Sequence, residues 1–115
     1  MPKKNATLLA LVFTILLSLP GNMASAASCK LFGNLKSRNS GVPVTIRFRN
    51  RSNGYRVIEW LNYKGQPVTY KHLQAGQSYT QQTYAGHPWM ITDGPGNCRQ
   101  IFVPGNRSRV FNIVR

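Results

Sequence analysis

Within the stretch VPVTIRFRN, Val44, Ile46 and Phe48 alternate with Thr45, Arg47 and Arg49. A period of two sends each set to one face of an extended chain, so the pattern predicts a half-buried strand. Six further segments have strand-forming composition: YRVIEWLNY, VTYKHL, SYTQQTYA, WMITD, CRQIFVP and RVFNIVR. RSNG, KGQP, QAGQ, GHP, GPGN and GNRS separate them, and these are turn-forming clusters. No segment sustains a helical apolar repeat, so little or no helix is expected. Short strands at intervals of roughly ten residues predict an all-β domain, a small antiparallel β-sandwich of about seven strands. Residues 29–41, rich in Ser, Asn, Gly and Lys, read as a loose arm ahead of it.

The N-terminal pattern is different in kind. Lys3 and Lys4 precede an apolar run from Leu8 to Leu19, broken by Thr14 and Ser18. Pro20-Gly21 ends the run, and Ala24-Ser25-Ala26 forms an A-x-A site. This is the layout of a secretory signal peptide cleaved after Ala26. The alternative is an uncleaved anchor, for which the run is short. The expected organisation is a leader over 1–26, an arm over 27–43 that contains Cys29, and a sandwich over 44–115. The expected location is secreted or periplasmic, with no membrane span after leader removal.

Export changes how the cysteines are read. Cys29 and Cys98 are the chain's two cysteines. In an oxidising compartment an even pair points to one disulfide. Two free thiols or a metal pair is the weaker alternative, since two cysteines without a neighbouring His pair make no zinc site. No metal and no cofactor is expected.

Charge adds a second element. Fifteen Lys and Arg face only Glu59 and Asp93, a net charge of +13, which falls to +11 once Lys3 and Lys4 leave with the leader. Such a balance favours encounter with anionic partners, although it also serves solubility and specifies no site by itself. Arg47, Arg49, Arg51, Arg56, Arg107 and Arg109 are the candidates for a cationic surface. Arg47 and Arg49 share one face of their strand.

The chemistry-bearing cluster is TYAGHPWM, residues 83–90, which places a hydroxyl, a phenol, an imidazole and an indole close together. It reads either as core or as one wall of a pocket. Together with NRS at 50–52, WLNYKGQPVTY at 60–70 and IFVPG at 101–105 it resembles the β-domain of the von Hippel–Lindau tumour suppressor family. The correspondence runs over roughly residues 44–114. The resemblance implies a seven-stranded β-sandwich that binds a peptide containing 4-hydroxyproline, walled by two Trp and one Tyr. It implies that Trp60, Tyr70 and Trp89 form those walls. It also implies that His87, with Thr83 at the family's Ser position, hydrogen-bonds the ligand hydroxyl. Pro88 stands where the family has a large aliphatic residue.

The chemistry fits such a ligand independently. A pyrrolidine ring suits aromatic walls, and its hydroxyl both donates and accepts, which a Thr hydroxyl and a neutral imidazole can match. Human-type members of the family carry a further α-domain that recruits a ubiquitin-ligase adaptor. This chain ends at Arg115, one strand after FVPG, and an exported protein does not meet that machinery, so no ubiquitin-ligase adaptor is expected as a partner.

The leading expectation is therefore a non-enzymatic binding module for a peptide or protein ligand. One alternative is a small cationic binder of nucleic acid or envelope polyanions. Another is a ribonuclease-like hydrolase using His72, His87 and Glu59. Against the hydrolase stand the scarcity of acid–base groups and the absence of a recognisable catalytic spacing or nucleophile elbow.

Overall fold

The computed structural model describes residues 25–115. Its strands are β1 (Ser25–Ala27), β2 (Pro43–Asn50), β3 (Arg56–Leu61), β4 (Pro67–Leu73), β5 (Ser78–Tyr84), β6 (Trp89–Thr92), β7 (Cys98–Val103) and β8 (Arg109–Ile113). They form two sheets, one in the order β1-β7-β6-β3-β4 and one in the order β5-β2-β8. The all-β sandwich is as expected, and β2 to β8 fall within two residues of the segments read from the pattern. The leader expected over 1–26 lies outside the described residues, except for its last two positions. Those two belong to β1, where Ser25 pairs with Val103 and Ala26 with Phe102.

The alternation in β2 does what the pattern requires. Val44, Ile46, Phe48 and Asn50 are buried, and Arg47 is exposed. Ile46 and Phe48 meet Ile58, Leu73, Trp89, Ile91, Phe102, Phe111 and Ile113 in one cluster between the sheets. Each large side chain fully buried here contributes about 1.5–3 kcal/mol from removal of apolar surface from water. Phe48 joins the layers directly, with its ring 5.8 Å from Trp89 of the other sheet, and lies 6.1 Å from Phe111 within its own sheet.

One strand pair departs from the antiparallel expectation. β2 and β8 run parallel, with Ile46 opposite Arg109 and Phe48 opposite Phe111. The cause lies at one end of the sandwich. Ala85 N–H donates to Val42 O and Gly86 N–H to Pro104 O, both at 2.9 Å. The segments leading into β2 and β8 are thus gathered on the same turn, and both strands enter their sheet from that end.

The arm is not loose. Cys29–Asn34 form a short 3-10 helix, and Phe32 and Leu35 pack with Leu61, Met90 and Ile101 on the outer face of the larger sheet. This second cluster explains why β3 and β6 do not alternate: β6 is buried at all four positions. Both faces of these strands are covered, so apolar residues are needed on both. Cys29 and Cys98 form the expected disulfide and pin the helix to β7. Closing a loop of 69 residues contributes about 4 kcal/mol on the chain-entropy account. No helix among the described residues is long and apolar enough to cross a membrane.

Candidate functional site

Tyr70 reaches the site through a break in strand register. β4 pairs Lys71 with Ile58 and Thr69 with Glu59, which leaves Tyr70 as an extra residue, a β-bulge. Leu73 belongs to the core between the sheets. Tyr70 is three positions away, and strict alternation would send it to the opposite face. The bulge brings both inward. The Tyr70 ring then lies 5.0 Å from Trp89 and 6.3 Å from Trp60, edge-on to each. Trp60 and Trp89 are themselves cross-strand partners on β3 and β6.

Thr83 comes from the other sheet. It pairs with Val44 on β2, faces inward and is 4% exposed. Its hydroxyl accepts a hydrogen bond from Trp89 Nε1–H at 3.1 Å. That bond uses one lone pair and leaves the hydroxyl proton free to donate.

His87 sits in the turn between β5 and β6. His87 N–H donates to Tyr84 O at 3.1 Å, and the turn passes through Gly86 at φ +82°. Only glycine adopts that backbone cheaply, which accounts for the Gly in YAGH. The imidazole stacks on Trp60 with centroids 5.8 Å apart. Tyr63 and Tyr84 close around it, each with its ring centre 5.4 Å away. Tyr63 Oη lies 3.5 Å from Nε2. Burial holds the His87 pKa below the ordinary histidine value, and a backbone hydrogen bond with Arg38 opposes that shift without overcoming it. The ring is therefore neutral at pH 7 and keeps an acceptor nitrogen.

The five residues singled out in the sequence thus form one chain of contacts: Thr83 to Trp89, Trp89 to Tyr70, Tyr70 to Trp60, and Trp60 to His87. Exposure divides them. Trp89 is 2% and His87 5% exposed, whereas Tyr70 is 44% exposed and forms a rim above them.

Sequence reasoning missed four members of the site. Tyr63 is the aromatic of WLNY and Tyr84 the Tyr of TYAGH, so both stood inside the motifs without being assigned to the site. Ser37 and Arg38 come from the arm, and no local signal marks them. Ser37 accepts from Trp60 Nε1–H at 2.7 Å and donates to Leu61 O at 2.6 Å.

The three residues of the hydrolase alternative have separate partners. His72 hydrogen-bonds Tyr55 Oη, and Glu59 accepts from Thr69 Oγ1. Among the described residues no hydrogen bond or ion pair joins any two of His72, His87 and Glu59. Arg56 also leaves the cationic set. It is buried, with Nε bonded to Arg115 O and Nη1 to Tyr55 O.

The NRS motif has a structural role. Asn50 is 1% exposed, and its Nδ2 donates to Gly54 O and Leu73 O. Its Oδ1 accepts from the Ser52 N–H and hydroxyl. One side chain thus ties the β2–β3 turn to the end of β4. A family model described as VHL beta domain matches residues 35–107, more than half of the chain and all of the residues just described as the site.

Proposed function

The chain belongs to the VHL β-domain family, a family of non-enzymatic peptide-binding domains, and from that premise we propose that it binds an extended peptide carrying 4-hydroxyproline. The pyrrolidine ring lies against Trp89 and Tyr70, with Trp60 as the second wall. Its hydroxyl accepts from Thr83 Oγ1–H and donates to the neutral imidazole of His87. The observation that carries this reading is the polarity of the buried pair. Thr83 has its acceptor side engaged by Trp89 and its proton free, and His87 is kept neutral by burial. One donor and one acceptor match one hydroxyl. Unmodified proline leaves the Thr83 proton unused and His87 Nε2 with only the long Tyr63 contact, at a cost of about 1–3 kcal/mol per group.

The extra methyl of Thr83, relative to the family's Ser, narrows the floor without removing its hydrogen bond. The leader over 1–26 and the disulfide support a secreted or periplasmic location, where the ligand would be an extracellular peptide or protein.

Calorimetry with a hydroxyproline peptide and its proline twin tests the reading. The hydroxylated peptide should bind more tightly by about 1–3 kcal/mol or more. Equal affinity for the twins removes the hydroxyproline ligand and leaves the fold and family untouched.

A further inference from the structure

The outer face of the smaller sheet carries a second feature, at the other end of the sandwich from His87. A groove of about 570 Å³ is lined by Arg47, Arg49, Arg51, Ser52, Gly76 and Ser78, with Asn50 beneath. Arg47 and Arg49 project from β2 on the face opposite the core, and Arg51 lies just beyond the strand at the rim of the same groove. Same-face residues on a strand repeat at about 6.7 Å, which sets Arg47 beside Arg49, while Arg51 follows where its N–H turns back to Arg49 O at 3.1 Å and lines the same groove.

Their surroundings leave the charge uncompensated. The chain's only acidic side chains are Glu59, on β3, and Asp93, in the turn between β6 and β7, and both are engaged there. Glu59 accepts from Thr69, and Asp93 accepts from Gly96 and Asn97 and faces Arg99 at 3.8 Å. Among the described residues, Arg49 and Arg51 make no side-chain hydrogen bond or ion pair. Arg47 Nη1 donates to Thr80 Oγ1 at 3.1 Å, which steadies the guanidinium while leaving its other N–H groups unused. The backbone under the groove is tied by hydrogen bonds. Gly76 N–H donates to Asn50 O, Asn50 N–H to Gln77 O, and Arg51 N–H to Ile113 O, all at 2.8 Å.

We propose that this groove binds an acidic polysaccharide bearing sulfate or carboxylate groups. Guanidinium forks recognise such oxyanions in two-point geometry. Three guanidiniums around one open groove suit a chain with an anionic group on each repeat better than a single small anion. The Ser78 hydroxyl supplies a partner for a sugar hydroxyl, whereas the Ser52 proton is already given to Asn50 Oδ1. Other polyanions fit less well. No aromatic side chain lines the groove, so nucleotide bases find no stacking platform. A three-stranded face offers neither the helix nor the two-stranded ribbon that enters a DNA major groove. The proposal is independent of the hydroxyproline reading, since it uses different residues and a different end of the fold.

The test uses a size-defined sulfated heparin octasaccharide and the oxidised protein, by calorimetry at two salt concentrations. Arg47→Ala/Arg49→Ala should weaken binding about tenfold or more and flatten its salt dependence. Lys30→Ala/Lys64→Ala removes the same charge from the other side of the molecule and should change affinity less than about threefold. Arg47→Lys/Arg49→Lys keeps the charge, loses the forks and should fall between these. Unchanged thermal unfolding confirms that each variant is folded. Equal losses from the two alanine pairs would reduce the effect to net charge and overturn the proposal. Tighter binding of a single-stranded oligonucleotide or of anionic vesicles through the same arginines would overturn the ligand class.

Discussion

The Trp60 indole N–H donates to the Ser37 hydroxyl at 2.7 Å. A wall of the candidate pocket is therefore held by a residue of the N-terminal arm, 23 positions away in sequence. The same hydroxyl donates to Leu61 O, so Ser37 braces the end of β3 twice. Replacing it with Ala strands a half-buried donor and a buried carbonyl. Ser37→Ala should cost about 1–2 kcal/mol in chemical unfolding. It should also shift the intrinsic tryptophan emission, because Trp60 is the more exposed of the two indoles. An unchanged spectrum would show that the brace does not position the ring.

The arm's other anchor is covalent. Reduction of Cys29–Cys98, or Cys29→Ser/Cys98→Ser, should lower stability by up to about 4 kcal/mol. It should also weaken ligand binding by loosening Ser37 and Arg38. Non-reducing mass spectrometry and unfolding curves with and without reductant check both parts. Full affinity in the reduced protein would mean that the packing of Phe32 and Leu35 alone holds the arm.

Acid should act through His87. Its pKa is lowered in the folded protein, first by burial, with the Arg38 backbone bond opposing. The unfolded chain takes up this proton near pH 6.5, and the folded protein only at lower pH. In that window the unfolded state binds more protons, so stability is fully present above about pH 6.5 and declines as pH falls below it. Urea midpoints from about pH 7.5 to 5 should show a decline that His87→Gln reduces. Preference for a hydroxyproline peptide should fade over the same range, because an imidazolium cannot accept a hydrogen bond.

Binding and stability should separate between the rim and the floor. Tyr70 is 44% exposed, so Tyr70→Ala should cost under about 1 kcal/mol of stability while removing most peptide affinity. Trp89 is 2% exposed and packs on Phe48, so Trp89→Ala should cost about 3–5 kcal/mol. Thr83→Val keeps the shape but leaves the Trp89 N–H unpaired, at about 1–3 kcal/mol, whereas Thr83→Ser should be nearly silent in both assays. Thermal unfolding alongside peptide titration distinguishes these outcomes.

Asn50→Ala removes a single side chain that serves four partners: Gly54 O, Leu73 O, and the Ser52 N–H and hydroxyl. A loss of about 3 kcal/mol is expected in denaturant unfolding. A loss below about 0.5 kcal/mol would mean that water replaces these bonds.

The strands and turns were legible in the sequence because both are local. Val44, Ile46 and Phe48 need only a period of two to declare a face, and Gly86 needs only a left-handed backbone to declare a turn. Trp60, Tyr70, Thr83, His87 and Trp89 were legible as a contacting set through the motifs that contain them, and Cys29 with Cys98 through their even count and an N-terminal pattern that predicts export. What lay beyond the sequence was long-range. The parallel pairing of β2 with β8 depends on Val42 and Pro104 meeting one turn. The inward aim of both Tyr70 and Leu73 depends on a bulge, which the composition of VTYKHL does not mark. A loop rich in Ser, Asn and Gly became a covering layer because Leu61, Met90 and Ile101 left an apolar outer face to bury. Ser37 gained its role only when that layer set it beside Trp60, and Arg56 lost its surface role once its donors found backbone carbonyls at Tyr55 and Arg115. Local pattern determines which face of a strand avoids water. Which neighbour covers that face is decided by contacts between residues far apart in the chain, and these exist only after folding.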